Sequence, residues 1–190
     1  MRSKEDAKTA LKKLSRVSPS EDEFQVIVSS LAHENNDRSI VIIAAAMLEQ
    51  TLEDLLLGEF RTLTTDERKR LFEGEAPLTS FSAKIKLAYA LNLIDRKTTT
   101  ELDLIRDLRN SFAHARKPIS FYTEEVADVC QHLKFTVGLG IKDKFSGKLP
   151  FLTSWSSLFG NLLRIKSERA HRKSLVKALL KGSEKEGAAT

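Results

Sequence analysis

From Arg38 to Phe60 apolar residues crowd the chain: nine in unbroken succession from Ile40 to Leu48, then Leu52, Leu55, Leu56 and Leu57. A run of nine is well short of the roughly 20 needed to cross a bilayer. The later spacing is helical, with no alternation of period two. A helix apolar on nearly every side has to be covered by other elements. The segment therefore predicts a central helix inside a bundle, with Asp37 as its N-cap.

The flanking segments supply the cover. Residues 3–14 read as a short polar helix, and Phe24, Val26, Ile27 and Leu31 give a helical apolar face that breaks at Asn35-Asn36. Thr64-Thr65-Asp66-Glu67 opens a short charged helix, and Ser80 opens another with Ile85, Leu87, Ala88 and Leu91. Thr98-Thr99-Thr100-Glu101 caps a helix through Leu102, Ile105, Leu108 and Phe112, which Pro118 keeps from continuing. Thr123 starts the next, with Val126, Val129, Leu133 and Val137. No repeat appears, and the predicted fold is all-α.

At 190 residues and 41% hydrophobic composition, the chain is long enough for one cored domain plus appendages. Gly138, Gly140, Gly147 and Pro150 mark a loop, after which FLTSWSSLFGNLL is apolar and aromatic and the chain from Arg164 is basic and helical. The division read from this is a basic N-terminal segment over 1–18, a helical domain over 19–140, a basic amphipathic extension over 141–181 and a disordered tail over 182–190. A lone cysteine, Cys130, and the absence of an apolar run behind the basic N-terminus point to a cytoplasmic protein.

Charge is unevenly placed. Residues 1–18 carry a net +4, residues 141–190 a net +7, and the middle a net −6. Basic ends gain affinity for phosphate polyanions by releasing counterions, which makes nucleic acid the leading polyanionic partner. Arg169, Lys173, Lys177 and Lys181 recur every fourth residue on one helical face, with Arg172 beside them. Such a face suits a nucleic-acid backbone, an acidic membrane surface or a protein partner, and equally a solvated end.

Cofactor chemistry has no support. The four histidines and one cysteine lack metal-ligand spacing, and no phosphate-cradling loop or nucleophile elbow is present, so neither metal nor cofactor is expected. What remains is Leu104 to His114, where Arg109, Asn110 and His114 occupy the last turns of a helix and Arg106 precedes them. Imidazole exchanges protons near neutral pH and guanidinium clamps phosphate oxygens. Together with a polar amide they suit attack of an RNA 2′-hydroxyl on its own phosphate. Arg109 and His114 are five residues apart, roughly 140° around a regular helix of ~3.6 residues per turn. Convergence requires the helix to loosen or two copies to face each other. The same residues also suit plain capping of a helix C-terminus. Glu49, one turn from Glu53, is a candidate carboxylate partner from the central helix, with helix-support charge as the plainer reading.

Arg109-Asn110-x-x-x-His114 resembles the Arg-(polar)-x-x-x-His signature of the HEPN superfamily. Three segments, Asp37 to Glu49, Ala76 to Ile94, and Leu104 to His114 with Ile119-Ser-Phe after it, look like the mannitol operon repressor (MtlR-like) family, whose fold is related to HEPN domains. The likeness covers about 37–135 and implies a HEPN-like, MtlR-like helical bundle. The HEPN resemblance implies a dimeric, metal-independent endoribonuclease in a toxin or defence setting. There His114 would be general acid/base, Arg109 the phosphate clamp, Asn110 an orienting group and Glu49 a supporting partner. Arg106, Arg116, Arg169, Arg172, Lys173 and Lys177 would hold RNA, and the apolar surface around Leu108, Phe112 and the central helix would be partly intersubunit. The repressor resemblance implies instead a non-catalytic transcriptional regulator that binds another transcription factor or nucleic acid, whereas a toxin setting would bring an antitoxin as partner.

Overall fold

A computed structural model describes residues 3–14, 19–135 and 146–187. Among them every regular element is helical: α1 (Lys4–Leu14), α2 (Glu21–His33), α3 (Asp37–Glu59), α4 (Thr65–Phe72), α5 (Phe81–Ala90), α6 (Arg96–His114), α7 (Glu124–Gln131) and α8 (Lys148–Gly187). The all-α expectation holds. Val137 and the glycines at 138 and 140 lie outside the described residues.

The central helix is where the apolar run placed it. Ile40, Val41, Ala44, Leu48, Leu52 and Leu56 of α3 are wholly buried. Side chains reaching along α3 give the directions of its neighbours. Trp155 Nε1 donates to Ala44 O at 2.9 Å, Lys166 meets Asp54 at 2.9 Å, and Lys173 reaches Glu59 at 2.9 Å, so α8 runs parallel to α3. Arg38 donates to Ala115 O at 2.9 Å at one end of α3, while Arg169 links Asn92 O to Glu59 at the other. α6 is therefore antiparallel to α3. α2 closes the top layer with Phe24 stacked on Phe159, ring centroids 4.9 Å apart.

Several boundaries differ from the sequence reading for local reasons. Asn36, one residue before Asp37, caps α3 by accepting from Ser39 N–H, which frees the Asp37 carboxylate to accept Phe121 N–H at 2.9 Å. Asp95, not the threonine run, caps α6, accepting Thr98 N–H at 2.7 Å. That bond holds the Asp95 carboxyl below the ordinary aspartate range. α4 begins as expected, with Thr64 and Glu67 forming a reciprocal capping box.

The largest difference concerns the boundary drawn at 140. Phe151, Trp155, Leu158, Phe159 and Leu162 are all buried in the same core as α3. The first half of α8 is part of the bundle, because its large apolar side chains need cover that a free extension lacks. Pro150 sits in the first turn of α8, where a missing N–H costs no helical bond. α8 also continues to Gly187, into the segment expected to be a disordered tail.

Candidate functional site

The candidate residues lie on the last turns of α6, and that helix does not loosen. It is regular through His114 and closes with Ala115 N–H donating to Ser111 O at 2.9 Å. His114 and Arg109 thus leave the helix on different sides. Arg109 and Asn110 are half-buried and bonded to each other, Nη1 to Oδ1 at 3.1 Å, while His114 is exposed. The three do not converge within one protomer. His114 is placed to interact favourably with the negative end of the helix.

Two expectations about the surroundings are corrected. Phe112 is wholly buried in its own protomer beside Phe121, and Leu108 is buried too, reaching the surface only as lining of the cleft between α6 and α7. Glu49 does not support the α6 end. It lies eleven residues along α3 from Arg38, roughly 16 Å at ~1.5 Å per residue. Its carboxylate is instead 2.9 Å from Lys84 Nζ.

Three of the basic residues assigned to RNA, Arg106, Arg169 and Lys173, have internal partners. Arg106 is held by Asp103 and Asp107, the latter at 2.8 Å. Arg169 meets Glu59 and Asn92 O, and Lys173 meets Glu59 and donates to Gly58 O, so both bind the carbonyl end of α3. Arg172 and Arg116 are exposed. The side chain of Lys177 lies outside the described residues. Among the described residues, no group of three or more His, Cys, Asp and Glu is arranged to hold a metal ion. No described helix is long and apolar enough to cross a membrane.

Beside His114 the surface opens into a basin of about 790 Å³ between the start of α3 and the 115–120 segment. Arg38, Arg116 and Lys117 line it together with Glu34, Asn36 and Asp37. Asp37 is occupied by Phe121 N–H and Arg38 by Ala115 O, whereas Arg116 and Lys117 project freely. The basin is broad and open, suited to a macromolecular contact more than to enclosing a reacting group.

The sequence reading missed a buried charge cluster. Lys84, 5% exposed, bridges Glu49 and Glu53 at 2.9 and 3.0 Å, and Arg68 meets Glu53 at 2.9 Å. Two carboxylates and two cations balance, tying α3 to α4 and α5. A second buried carboxylate, Glu101, accepts from Ser154 Oγ at 2.7 Å and from Lys134 N–H, joining α6 to α8. Both were detectable: Lys84 and Glu101 are charged residues at core positions of otherwise apolar helical stripes.

A family model described as "Mannitol repressor" matches residues 23–183. The chain belongs to the mannitol repressor family. It is 28% identical over 92 residues to the mannitol operon repressors of Escherichia coli strains K12 and O6:H1, covering 47% of this chain and 47% of each relative. The chain thus aligns with about half the length of the curated relatives it matches. Its fold is similar to a chain in the X-ray structure of the MtlR–HPr complex from Escherichia coli, with a TM-score of 0.61 and 19% identity over 73% of this chain and 97% of that one. The family match runs past residue 140 into α8, as the packing of Trp155 requires.

Proposed function

We propose that this protein is a non-catalytic regulator of the mannitol repressor type, working in the cytoplasm by docking a protein partner. The observation that carries this reading is the likeness of its fold to a repressor solved with HPr, over nearly the whole of that chain. HPr is accordingly the partner proposed. The docking surface proposed is the basin beside His114, where Arg116 and Lys117 offer unpaired positive charge to an acidic face.

The metal-independent ribonuclease implied by the HEPN resemblance is the second reading. What favours it is the exposure of His114 beside Arg116. Against it stands the divergence of Arg109 from His114 on a regular helix. Incubation of the purified protein with varied RNAs in excess EDTA separates the two. The regulator leaves RNA intact. Cleavage that produces 2′,3′-cyclic ends and disappears in both R109A and H114A overturns that reading in favour of the nuclease.

A further inference from the structure

The end of α8 leaves the body of the protein. Among its described side chains, bonds to the bundle reach as far as Lys173, on Gly58 O and Glu59 at the C-terminal end of α3. The helix then continues to Gly187, roughly 20 Å further at ~1.5 Å per residue. On this projecting length Leu175, Val176 and Leu179 are 51%, 51% and 73% exposed. Spaced i, i+1 and i+4, they form one apolar row, bordered by the exposed Arg172. An apolar row on a projecting basic helix calls for a partner.

A groove of complementary character lies near the opposite end of the molecule. Between α6 and α7 a cleft of about 350 Å³ has Leu108, Ile119, Val126 and Val129 as its apolar lining and Asp107 and Glu125 on its rim. Glu124 and Asp128 add exposed carboxylates on α7. This is a seat for a helix with an apolar row and positive flanks. The 141–190 segment carries a net +7 and the 19–140 segment a net −6, so the match of charge extends beyond the immediate contact.

The two surfaces cannot meet within one chain. α8 runs parallel to α3 and leaves at its C-terminal end, whereas the groove flanks the last turns of α6, at the end where Arg38 meets Ala115. A continuous helix cannot turn back over that distance. Two copies laid antiparallel about a twofold axis bring each tail to the other's groove, and the two contacts close the assembly. Tail against tail is disfavoured, since it would set two basic helices side by side.

We propose that the free end of α8, through Leu175, Val176 and Leu179, docks into the acidic-rimmed α6–α7 groove of a second copy of this chain, forming a twofold dimer. Two symmetric contacts double the buried surface toward the ~1,200–2,000 Å² of a specific interface. The dimer is independent of which molecule the basin binds.

Sedimentation of the full chain at tens of micromolar tests this, together with an engineered disulfide. Wild type sediments as a dimer, and L175E/L179E and D107K/E125K each sediment as monomers with unchanged helical circular dichroism. Mixing L179C chains with E125C chains under mild oxidation yields a covalent pair. The native Cys130 does not interfere, because burial pushes its thiol up to about 12. A wild type that stays monomeric overturns the proposal, as does a dimer that survives both double variants. Monomeric wild type that co-sediments with phosphatidylserine vesicles, and loses this in L175E/L179E, assigns the tail to a lipid surface and overturns it too.

Discussion

Trp155 Nε1 donates to Ala44 O at 2.9 Å, so the indole of α8 bonds to a backbone carbonyl in the middle of α3. That carbonyl already accepts a helical bond, and the indole takes its second lone pair. The ring itself is wholly buried and packs against Phe159, 5.9 Å between centroids. W155A should therefore lower stability by about 3–5 kcal/mol, as large-to-small core changes do. W155F, which keeps most of the volume and loses the donor, should cost less than half of that. Urea unfolding of the two variants checks the order. Equal losses would show that the hydrogen bond, not the packing, dominates.

Lys84 should be more costly to remove than its carboxylate partners. K84M leaves Glu49 and Glu53 facing each other, with Arg68 on Glu53 alone. Breaking a buried pair by removing one partner costs about 3–5 kcal/mol. The triple variant K84M/E49Q/E53Q removes the stranded charge and should recover a large part of the loss. A triple variant no more stable than K84M would contradict the charge argument.

Gly147 is required by close approach. A Cβ built there would lie 2.8 Å from Cys130 Sγ and 2.9 Å from Cys130 Cβ, while Gly147 N–H donates to Phe121 O at 2.8 Å. G147A should destabilise by about 1–3 kcal/mol through overpacking. C130A should relieve this only in part, because its own Cβ remains in the way. Thermal melts of the single and double variants report the difference. Complete rescue by C130A would place the clash on the sulfur alone.

Acid should weaken the start of α6. The Thr98 N–H bond lowers the Asp95 pKa in the folded state relative to the unfolded one. A depressed carboxylate contributes stability above its unfolded value, ~3.9, and loses it as pH falls through the folded value. Wild type should lose stability as pH drops below about 4. D95N keeps a capping acceptor without that titration, so the fall should be shallower. Parallel slopes for the two proteins would remove Asp95 from the account.

How much of this was legible in the residues follows from what each signal reports. The apolar density from Ile40 to Leu57 located α3, and Pro118 marked the end of α6, because burial and a missing N–H act locally. The threonine run places the α6 cap three residues late, since Thr98 and Asp95 are both good cap residues and only the backbone geometry chooses between them. Basic composition after Arg164 obscured the role of FLTSWSSLFGNLL, whose burial depends on a helix over a hundred residues earlier. The candidate site fared similarly. Sequence spacing correctly set Arg109 and His114 on different sides of a helix, but could not show that Arg106, Arg169 and Lys173 are held by carboxylates and carbonyls from other turns and helices.

The proposed role depends on a protein docking in the basin beside His114. Calorimetric titration of this chain with purified HPr decides the matter. Saturable binding is expected to persist in H114A and R109A and to weaken at least tenfold in R116E/K117E, a change of about 1.4 kcal/mol. No binding by wild type at hundred-micromolar concentrations would contradict it.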